Sequence, residues 1–127
     1  MTQEDKDLLL QDLCGRLPYG VKCSFGVDDT VYEITGINPT CCGASEIQAT
    51  HVKSSINGDF RLNSCKPYLF PLSSMTEEQK KEEYEICKYY LNGYESKLID
   101  FYNKNHLDYR DLILKGLAID ATNLNIY

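Results

Sequence analysis

The sequence predicts an α+β fold, in which a small antiparallel sheet of about four strands is covered by an N-terminal helix and one or two C-terminal helices. Three features predict it: apolar residues at helical spacing near the start of the chain, alternating β-branched residues through its first half, and a long amphipathic pattern in its second half. With 127 residues, the chain can bury a hydrophobic core without disulfides or a metal ion. Residues 1–127 are therefore predicted to form a single domain.

The first helix is predicted from about residue 3 to Cys14. Thr2 and Asp5 have the spacing of a helix-capping pair, and apolar residues then recur at helical intervals. Gly15 suits the C-terminal cap, because glycine readily adopts the left-handed conformation in which many helices end.

Alternating large side chains predict the sheet. The Leu17-Pro18 pair favours an extended exit from the helix, and Asp28-Asp29 and Asn57-Gly58 supply turns. Because neighbouring strands joined by short turns pair with each other, the result should be an antiparallel meander. The four predicted strands cover residues 19–25, 30–37, 46–52 and 59–62.

Ser73, Ser74 and Thr76, followed by an acidic run, predict the start of a second long helical region. One continuous apolar stripe then runs along it. Asn92-Gly93 interrupts this region, and we expect two helices that meet at Gly93 because glycine costs about 1 kcal/mol in a helix interior; one kinked helix is the alternative. The stripe consists of Tyr84, Cys87, Leu91, Tyr94, Leu98 and Phe101.

The stripe assigns the tyrosines of this region to core or surface. Tyr84 and Tyr94 lie on it and are expected in the core, whereas Tyr89 and Tyr102 fall off it and should be more exposed. Residues 109–118 are expected to form a short strand or turn structure that closes onto the sheet.

Charge and patterning bound the class of protein. Thirteen Lys and Arg against nineteen Asp and Glu give a net charge of −6, which argues against bulk nucleic-acid binding through phosphates. No apolar run approaches the length of a membrane helix, and the first residues do not resemble a signal peptide. A bacterial cytosolic location without a membrane partner is therefore expected.

The six cysteines are expected as free thiols in that reducing compartment. Four of them sit singly among apolar neighbours and should behave as small buried hydrophobes. The Cys41-Cys42 pair could ligate a metal or react with oxidants, but no second pair at zinc spacing exists and no Cys-x-x-Cys is present. We therefore predict no metal and no cofactor. The four single cysteines are Cys14, Cys23, Cys65 and Cys87.

His106, Asp108 and Arg110 are the strongest candidates for catalysis, because a carboxylate can orient a histidine for proton transfer while an arginine holds an anion. No nearby serine or cysteine has a nucleophile's context. In the alternative interpretation His106 caps the preceding helix through its partial positive charge, and Asp108 and Arg110 form a structural ion pair.

Ten tyrosines and no tryptophan indicate a surface suited to protein contacts or to base stacking. Tyrosines placed beside lysine or arginine could line a small anionic pocket. The ligand-binding residues predicted on this basis are Tyr19, Lys22, Lys66, Tyr68, His106, Tyr109 and Arg110.

Two long phrases carry a resemblance to a known group. Residues 66–78 read Lys-Pro-Tyr-Leu-Phe-Pro-Leu-Ser-Ser-Met-Thr-Glu-Glu, and residues 106–118 contain His-Leu-Asp-Tyr-Arg-Asp-Leu-Ile and Gly-Leu-Ala. With residues 17–22, they resemble a group of small proteins encoded by phages and mobile elements of gut Bacteroidales. Phe70 replaces an arginine of the group's pattern, and Asn105 replaces the first of two adjacent histidines, which counts against a two-histidine site.

The resemblance implies a genetic setting but transfers no chemistry. Accessory proteins in that setting commonly bind host components, so a non-enzymatic anti-defence protein that sequesters a nucleotide immune signal is the leading hypothesis, and it could be a homo-oligomer. A protein-binding inhibitor or adaptor with a tyrosine-rich surface is the second hypothesis. A small hydrolase that uses His106 and Asp108 is the third.

Overall fold

The structure, a computed structural model, describes residues 2–26, 30–38, 47–89 and 93–127. It confirms the α+β class, with three α-helices and more strands than the four predicted. The helices are α1 (Gln3–Arg16), α2 (Glu77–Tyr89) and α3 (Tyr94–Lys104). The strands are β1 (Lys22–Ser24), β2 (Tyr32–Ile37), β3 (Ile47–His51), β4 (Asn57–Phe60), β5 (Lys66–Pro71), β6 (Leu107–Asp108) and β7 (Ile119–Asp120).

Helix α1 begins as predicted and ends later. The Thr2 side chain accepts a hydrogen bond from the Asp5 amide at 3.1 Å, and the Asp5 carboxylate accepts one from the Thr2 amide at 3.3 Å. Gly15 does not end the helix, which continues to Arg16. A Cβ at position 15 would lie 2.9 Å from the Asn103 amide nitrogen, so this glycine provides close packing of α1 against α3.

The sheet has the strand order β4-β3-β2-β1-β5-β6, and β7 also pairs with β5. The first four strands form the predicted antiparallel meander. Strands β6 and β7 lie parallel to β5 and extend the sheet beyond it. Two-residue strands are too short to show a period of two, which explains why the sequence pattern did not indicate them.

Two local predictions in the sheet are wrong. Tyr19 belongs to a 3-10 helix, Leu17–Tyr19, so β1 is shorter than the predicted strand. Asn57-Gly58 lies within β4, and the turn comes earlier, where the Ser54 amide donates to the His51 Nδ1 atom at 2.9 Å. The predicted turn at Asp28-Asp29 falls outside the described residues.

The core lies between α1, one face of the sheet and the C-terminal segment that follows α3. We call this face of the sheet the inner face. Its fully buried members include Leu9, Leu13, Val21, Cys23, Ile47, Leu69 and Leu112. No helix in the described ranges is long and apolar enough to cross a membrane.

Helices α2 and α3 are separate, as predicted, and Gly93 precedes α3 with a φ of +84°. The predicted core stripe is wrong for α2, because Tyr84 is 65% exposed and none of its residues is buried. Tyr94 is also exposed, at 38%, and Tyr102 is half-buried. The prediction that Tyr89 is exposed is confirmed, at 68%.

Candidate ligand-binding site

The outer face of the sheet, opposite the core, gathers three of the predicted ligand-binding residues. Ser24 on β1 is opposite Lys66 on β5, and the same antiparallel register places Lys22 opposite Tyr68. Because side chains alternate between the faces of a strand, all four lie on one face. The register of β1 and β5 therefore unites Lys22, Lys66 and Tyr68 across two neighbouring strands.

The C-terminal residues 121–127, which we call the tail, are bound to this part of the sheet. The Ala121 amide donates to the Leu69 carbonyl at 2.8 Å, and the Lys22 ammonium donates to the Ile126 carbonyl at 2.9 Å. The Tyr127 hydroxyl accepts from the Lys22 amide at 2.9 Å and donates to the Tyr68 carbonyl at 2.8 Å. Burial raises the pKa of Tyr127, so the hydroxyl stays protonated and able to donate.

A groove of about 810 Å³ lies between the sheet and the tail. This volume falls in the range of small-molecule sites, roughly 300 to 1,000 Å³. Its apolar walls come from Val31 and Val52, which flank β2 and β3, from Tyr68 on β5, and from Leu124 and Ile126 of the tail. His51 and Lys53 add polar groups at one side. The groove is lined by Thr30, Val31, His51, Val52, Lys53, Tyr68, Leu124, Asn125 and Ile126.

The charges around the groove favour an anion. Lys53 lines it and is exposed, and Lys22 lies on the same sheet face as Tyr68. Glu33, opposite Lys22 on β2, adds one negative charge that partly offsets the charge of the lysines. Lys22 does not line the groove and its ammonium group binds the Ile126 carbonyl, so Lys53 is the lysine that faces a ligand there.

The hydrogen bonds of the Tyr127 hydroxyl to Lys22 and Tyr68 form what we call the tail anchor. His106 lies against the Tyr127 ring. Its ring stacks on Tyr127 with 3.7 Å between centroids. Burial, with smaller contributions from the positive Arg16 and Lys22, lowers the pKa of His106 to about 4. The ring is therefore neutral at physiological pH, so the partial positive charge that the predicted helix cap used is absent. The backbone still ends α3, because His106 has a φ of +56° and its amide donates to the Asn103 carbonyl.

Asp108 serves the backbone. Its two carboxylate oxygens accept hydrogen bonds from the amides of Leu112 and Ile113, each at 2.9 Å. These bonds contradict both predicted pairings, since the carboxylate neither orients His106 nor forms the ion pair with Arg110. The catalytic pair on which the hydrolase hypothesis depended is therefore not formed.

Arg110 and Tyr109 belong to a separate group, the ion cluster, which consists of Asp12, Arg16, Tyr109 and Arg110. Arg16 binds Asp12 through two hydrogen bonds, at 2.7 and 3.1 Å, and both side chains are fully buried. The Arg110 Nε atom lies 3.3 Å from the Asp12 carboxylate, and its Nη2 atom donates to the Tyr109 hydroxyl at 3.0 Å. These contacts place Arg110 in the ion cluster, although its buried Nε atom has no hydrogen-bond partner.

The predicted ligand-binding residues thus divide into groups. One group surrounds Tyr127 and consists of Lys22, Tyr68 and His106. Lys66 lies on the same sheet face as Lys22 and Tyr68. Tyr109 and Arg110 lie in the ion cluster, and Tyr19 is in the 3-10 helix before β1 without lining the groove.

Sequence reasoning missed most of the groove. It named Tyr127 only as one of ten tyrosines, and it did not select the groove residues Val31, Val52, Lys53 and Leu124. These side chains come from three separate segments, and only the strand register and the path of the tail place them together. The sequence signal available was the alternation of side chains in the predicted second strand, residues 30–37, which puts Val31 on the face opposite the core.

The cysteines divide as well. Cys23 and Cys65 are fully buried, as predicted, and the contact between their thiols together with burial raises the pKa of Cys23. The prediction fails for Cys14 and Cys87, which are exposed. Cys41 and Cys42 fall outside the described residues. Within the described ranges, no group of three or more His, Cys, Asp or Glu residues is placed to hold a metal ion.

The structure therefore defines an α+β protein with a ligand-sized groove between its sheet and its C-terminal tail. No family model, no curated protein and no solved structure matches this chain.

Proposed function

We propose that this protein is a non-enzymatic accessory protein of a phage or mobile element that binds a small anionic ligand of the nucleotide class in the groove and holds it unchanged. The groove supports the proposal because it combines apolar walls with the ammonium group of Lys53. Ligand sites of this size are mostly apolar, with few polar groups that fix orientation.

Each part of such a ligand has a counterpart in the groove. Val31, Val52 and Leu124 offer apolar surface to a planar base, and burying it there would provide the nonspecific part of the affinity. Lys53 would bind phosphate oxygens through charge-assisted hydrogen bonds, which are stronger than neutral ones. The Asn125 side-chain amide could add a donor and an acceptor.

Retention fits the polar groups near the groove better than turnover does. His51 is the only histidine that lines it among the described residues, and its Nδ1 atom already accepts from the Ser54 amide. Asp108 is occupied by backbone amides. A sequestering protein needs tight binding alone, and such a protein would lower the free concentration of an immune signal.

The test is a panel of mononucleotides, cyclic dinucleotides and ADP-ribose, each incubated with purified protein. At least one should raise the melting temperature by several degrees, since a ligand at about a hundred times its Kd adds about 2.7 kcal/mol to stability. Heat denaturation should then release it with unchanged mass. The proposal would be contradicted if no member of the panel shifted the melting temperature. It would also be contradicted if a multiple-turnover activity copurified with the protein.

A matched pair of variants locates the site. Lys53→Glu should weaken binding by about tenfold or more, because it reverses a charge at the anion. Lys81→Glu makes the same change on exposed α2 and should leave the affinity unchanged. Equal effects of the two substitutions would mean that the ligand responds only to net charge, not to the groove.

A further inference from the structure

Helix α2 is attached to the rest of the protein by hydrogen bonds from polar side chains. The half-buried side is formed by Gln79, Glu83 and Ile86. The Glu83 carboxylate accepts from the Tyr102 hydroxyl at 2.7 Å, and the Gln79 amide approaches the Asn105 side chain at 3.4 Å. An amphipathic helix usually turns its apolar stripe inward, but α2 turns only Ile86 inward and leaves Tyr84 and Cys87 of the predicted stripe exposed.

The outward side of α2 centres on Tyr84, which is 65% exposed. Residues three or four positions away on a helix are its neighbours on the same face, and for Tyr84 these positions include Lys80, Lys81 and Lys88. The Lys88 ammonium lies 5.9 Å from the Tyr84 ring centroid. We call Tyr84 with these three lysines the Tyr84 face.

The Tyr84 face is locally positive although the chain is acidic. Glu77 is on the same side and pairs with Lys80 at 3.5 Å, which leaves the charges of Lys81 and Lys88 uncompensated by any described ion pair. An exposed aromatic ring encircled by cations is suited to an apolar pocket bordered by carboxylates. Tyrosine is also among the residues that most often dominate binding energy at protein interfaces.

A second copy of the chain fits this face poorly. In an antiparallel pair of α2 helices centred on Tyr84, Lys80 would face the partner's Lys88, and a parallel pair would set each lysine against itself. Nucleic acid fits poorly too, because its binding neutralises several phosphates with lysine or arginine, whereas the Tyr84 face has three lysines and one of them is already paired with Glu77.

We infer that the Tyr84 face is a docking site for an acidic segment of another protein. An apolar side chain or pocket of that segment would contact Tyr84, and its carboxylates would pair with Lys80, Lys81 and Lys88. This inference does not depend on the groove or its ligand. It assigns the second hypothesis from the sequence, an adaptor with a tyrosine-rich surface, to one side of one helix.

The test uses a displayed library of random peptides selected against the intact protein. Enriched peptides should contain Asp or Glu on either side of an aromatic or aliphatic residue. Binding of a synthetic consensus peptide, followed by fluorescence anisotropy, should weaken as salt is raised. The absence of enriched peptides, or enrichment of peptides without carboxylates, would overturn the inference.

Variants of α2 separate this face from its surroundings. Tyr84→Ser should weaken peptide binding by about tenfold, and the triple change Lys80→Glu, Lys81→Glu and Lys88→Glu should do the same. Tyr19→Ser changes an exposed tyrosine of the 3-10 helix before β1 and should leave peptide binding nearly unchanged. Because no residue of α2 is buried, the α2 variants should fold, which an unchanged melting temperature verifies.

Two further results would also overturn it. Sedimentation that shows a dimer lost on Tyr84→Ser would assign the face to a second copy. Binding of a single-stranded oligonucleotide that is lost on Tyr84→Ser would assign it to nucleic acid.

Discussion

The ion cluster and helix α2 treat charged side chains in opposite ways. In the ion cluster, Asp12 and Arg16 are fully buried and hydrogen-bonded to each other. On α2, the Glu77–Lys80 pair joins side chains that are 93% and 52% exposed. Buried pairs are costly to break and exposed pairs are nearly neutral. The contrast indicates that the cluster maintains the fold, whereas α2 is free to change its surface for binding.

The largest expected effect comes from breaking the ion cluster. Asp12→Ala leaves Arg16 buried without its carboxylate, and we expect a loss of about 3 to 5 kcal/mol in the free energy of unfolding, measured by urea denaturation. Glu77→Ala is the matched control, because it removes the exposed pair and should cost less than about 1 kcal/mol. Similar losses for the two variants would remove the contrast between the regions.

The tail anchor should come next. Tyr127→Phe keeps the stack on His106 and removes the hydroxyl that joins Lys22 and Tyr68. Leaving these backbone groups without a partner should cost about 1 to 3 kcal/mol and should weaken ligand binding in the groove. Tyr89→Phe, on exposed α2, should change neither quantity. If the two tyrosines prove equivalent, the tail is not held by this hydroxyl.

His106 should make stability depend on pH. Its pKa is lowered from 6.5 to about 4 in the folded protein, so the unfolded chain binds this proton more readily. Its contribution is therefore complete above about pH 6.5 and is lost as the pH falls toward 4, by about 1 to 2 kcal/mol after allowance for solvent screening of a partly exposed ring.

Urea denaturation across this pH range should reveal the effect as a difference between proteins. His106→Asn removes the titrating ring while keeping a residue that tolerates the left-handed backbone, so its stability should fall less steeply below pH 6.5 than that of the natural sequence. His51→Asn is the matched control. Parallel pH profiles for His106→Asn and the natural sequence would contradict a buried neutral ring.

The smallest effect is expected where α2 meets α3. Tyr102→Phe removes the hydrogen bond to Glu83. Burial and, to a smaller extent, this bond raise the pKa of Tyr102. We expect about 0.5 to 1.5 kcal/mol, expressed mainly as faster amide exchange in α2 because that helix has few other anchors. Faster exchange across β1 and β2 as well would mean that α2 is part of the cooperative core.

The sequence predicted those parts of the fold that have local signals. The Thr2–Asp5 cap, the division at Gly93 and the antiparallel meander each follow from residues within a few positions of one another. The orientation of α2 does not, because the polar anchors Glu83 and Tyr102 on different helices override the apolar stripe. That competition between a local pattern and a tertiary contact cannot be resolved from periodicity alone.

The candidate site was less predictable for the same reason. The sequence identified Lys22 as a candidate cation and Tyr68 as a candidate aromatic residue of the site, but only the β1–β5 register makes them neighbours. Arg110 was a reasonable ligand-binding candidate until its contact with Asp12, 98 positions earlier in the sequence, placed it in the ion cluster. The Tyr127 hydroxyl holds the tail through hydrogen bonds to the Lys22 amide and the Tyr68 carbonyl, which no short motif encodes.

Hydrogen exchange with and without the ligand identified from the nucleotide panel tests the central claim most directly. The claim predicts slower exchange of the Lys22 and Ala121 amides, which hold the tail against the sheet, and unchanged exchange in α2. Slower exchange in α2 with an unchanged tail would contradict it, because the ligand would then bind outside the groove.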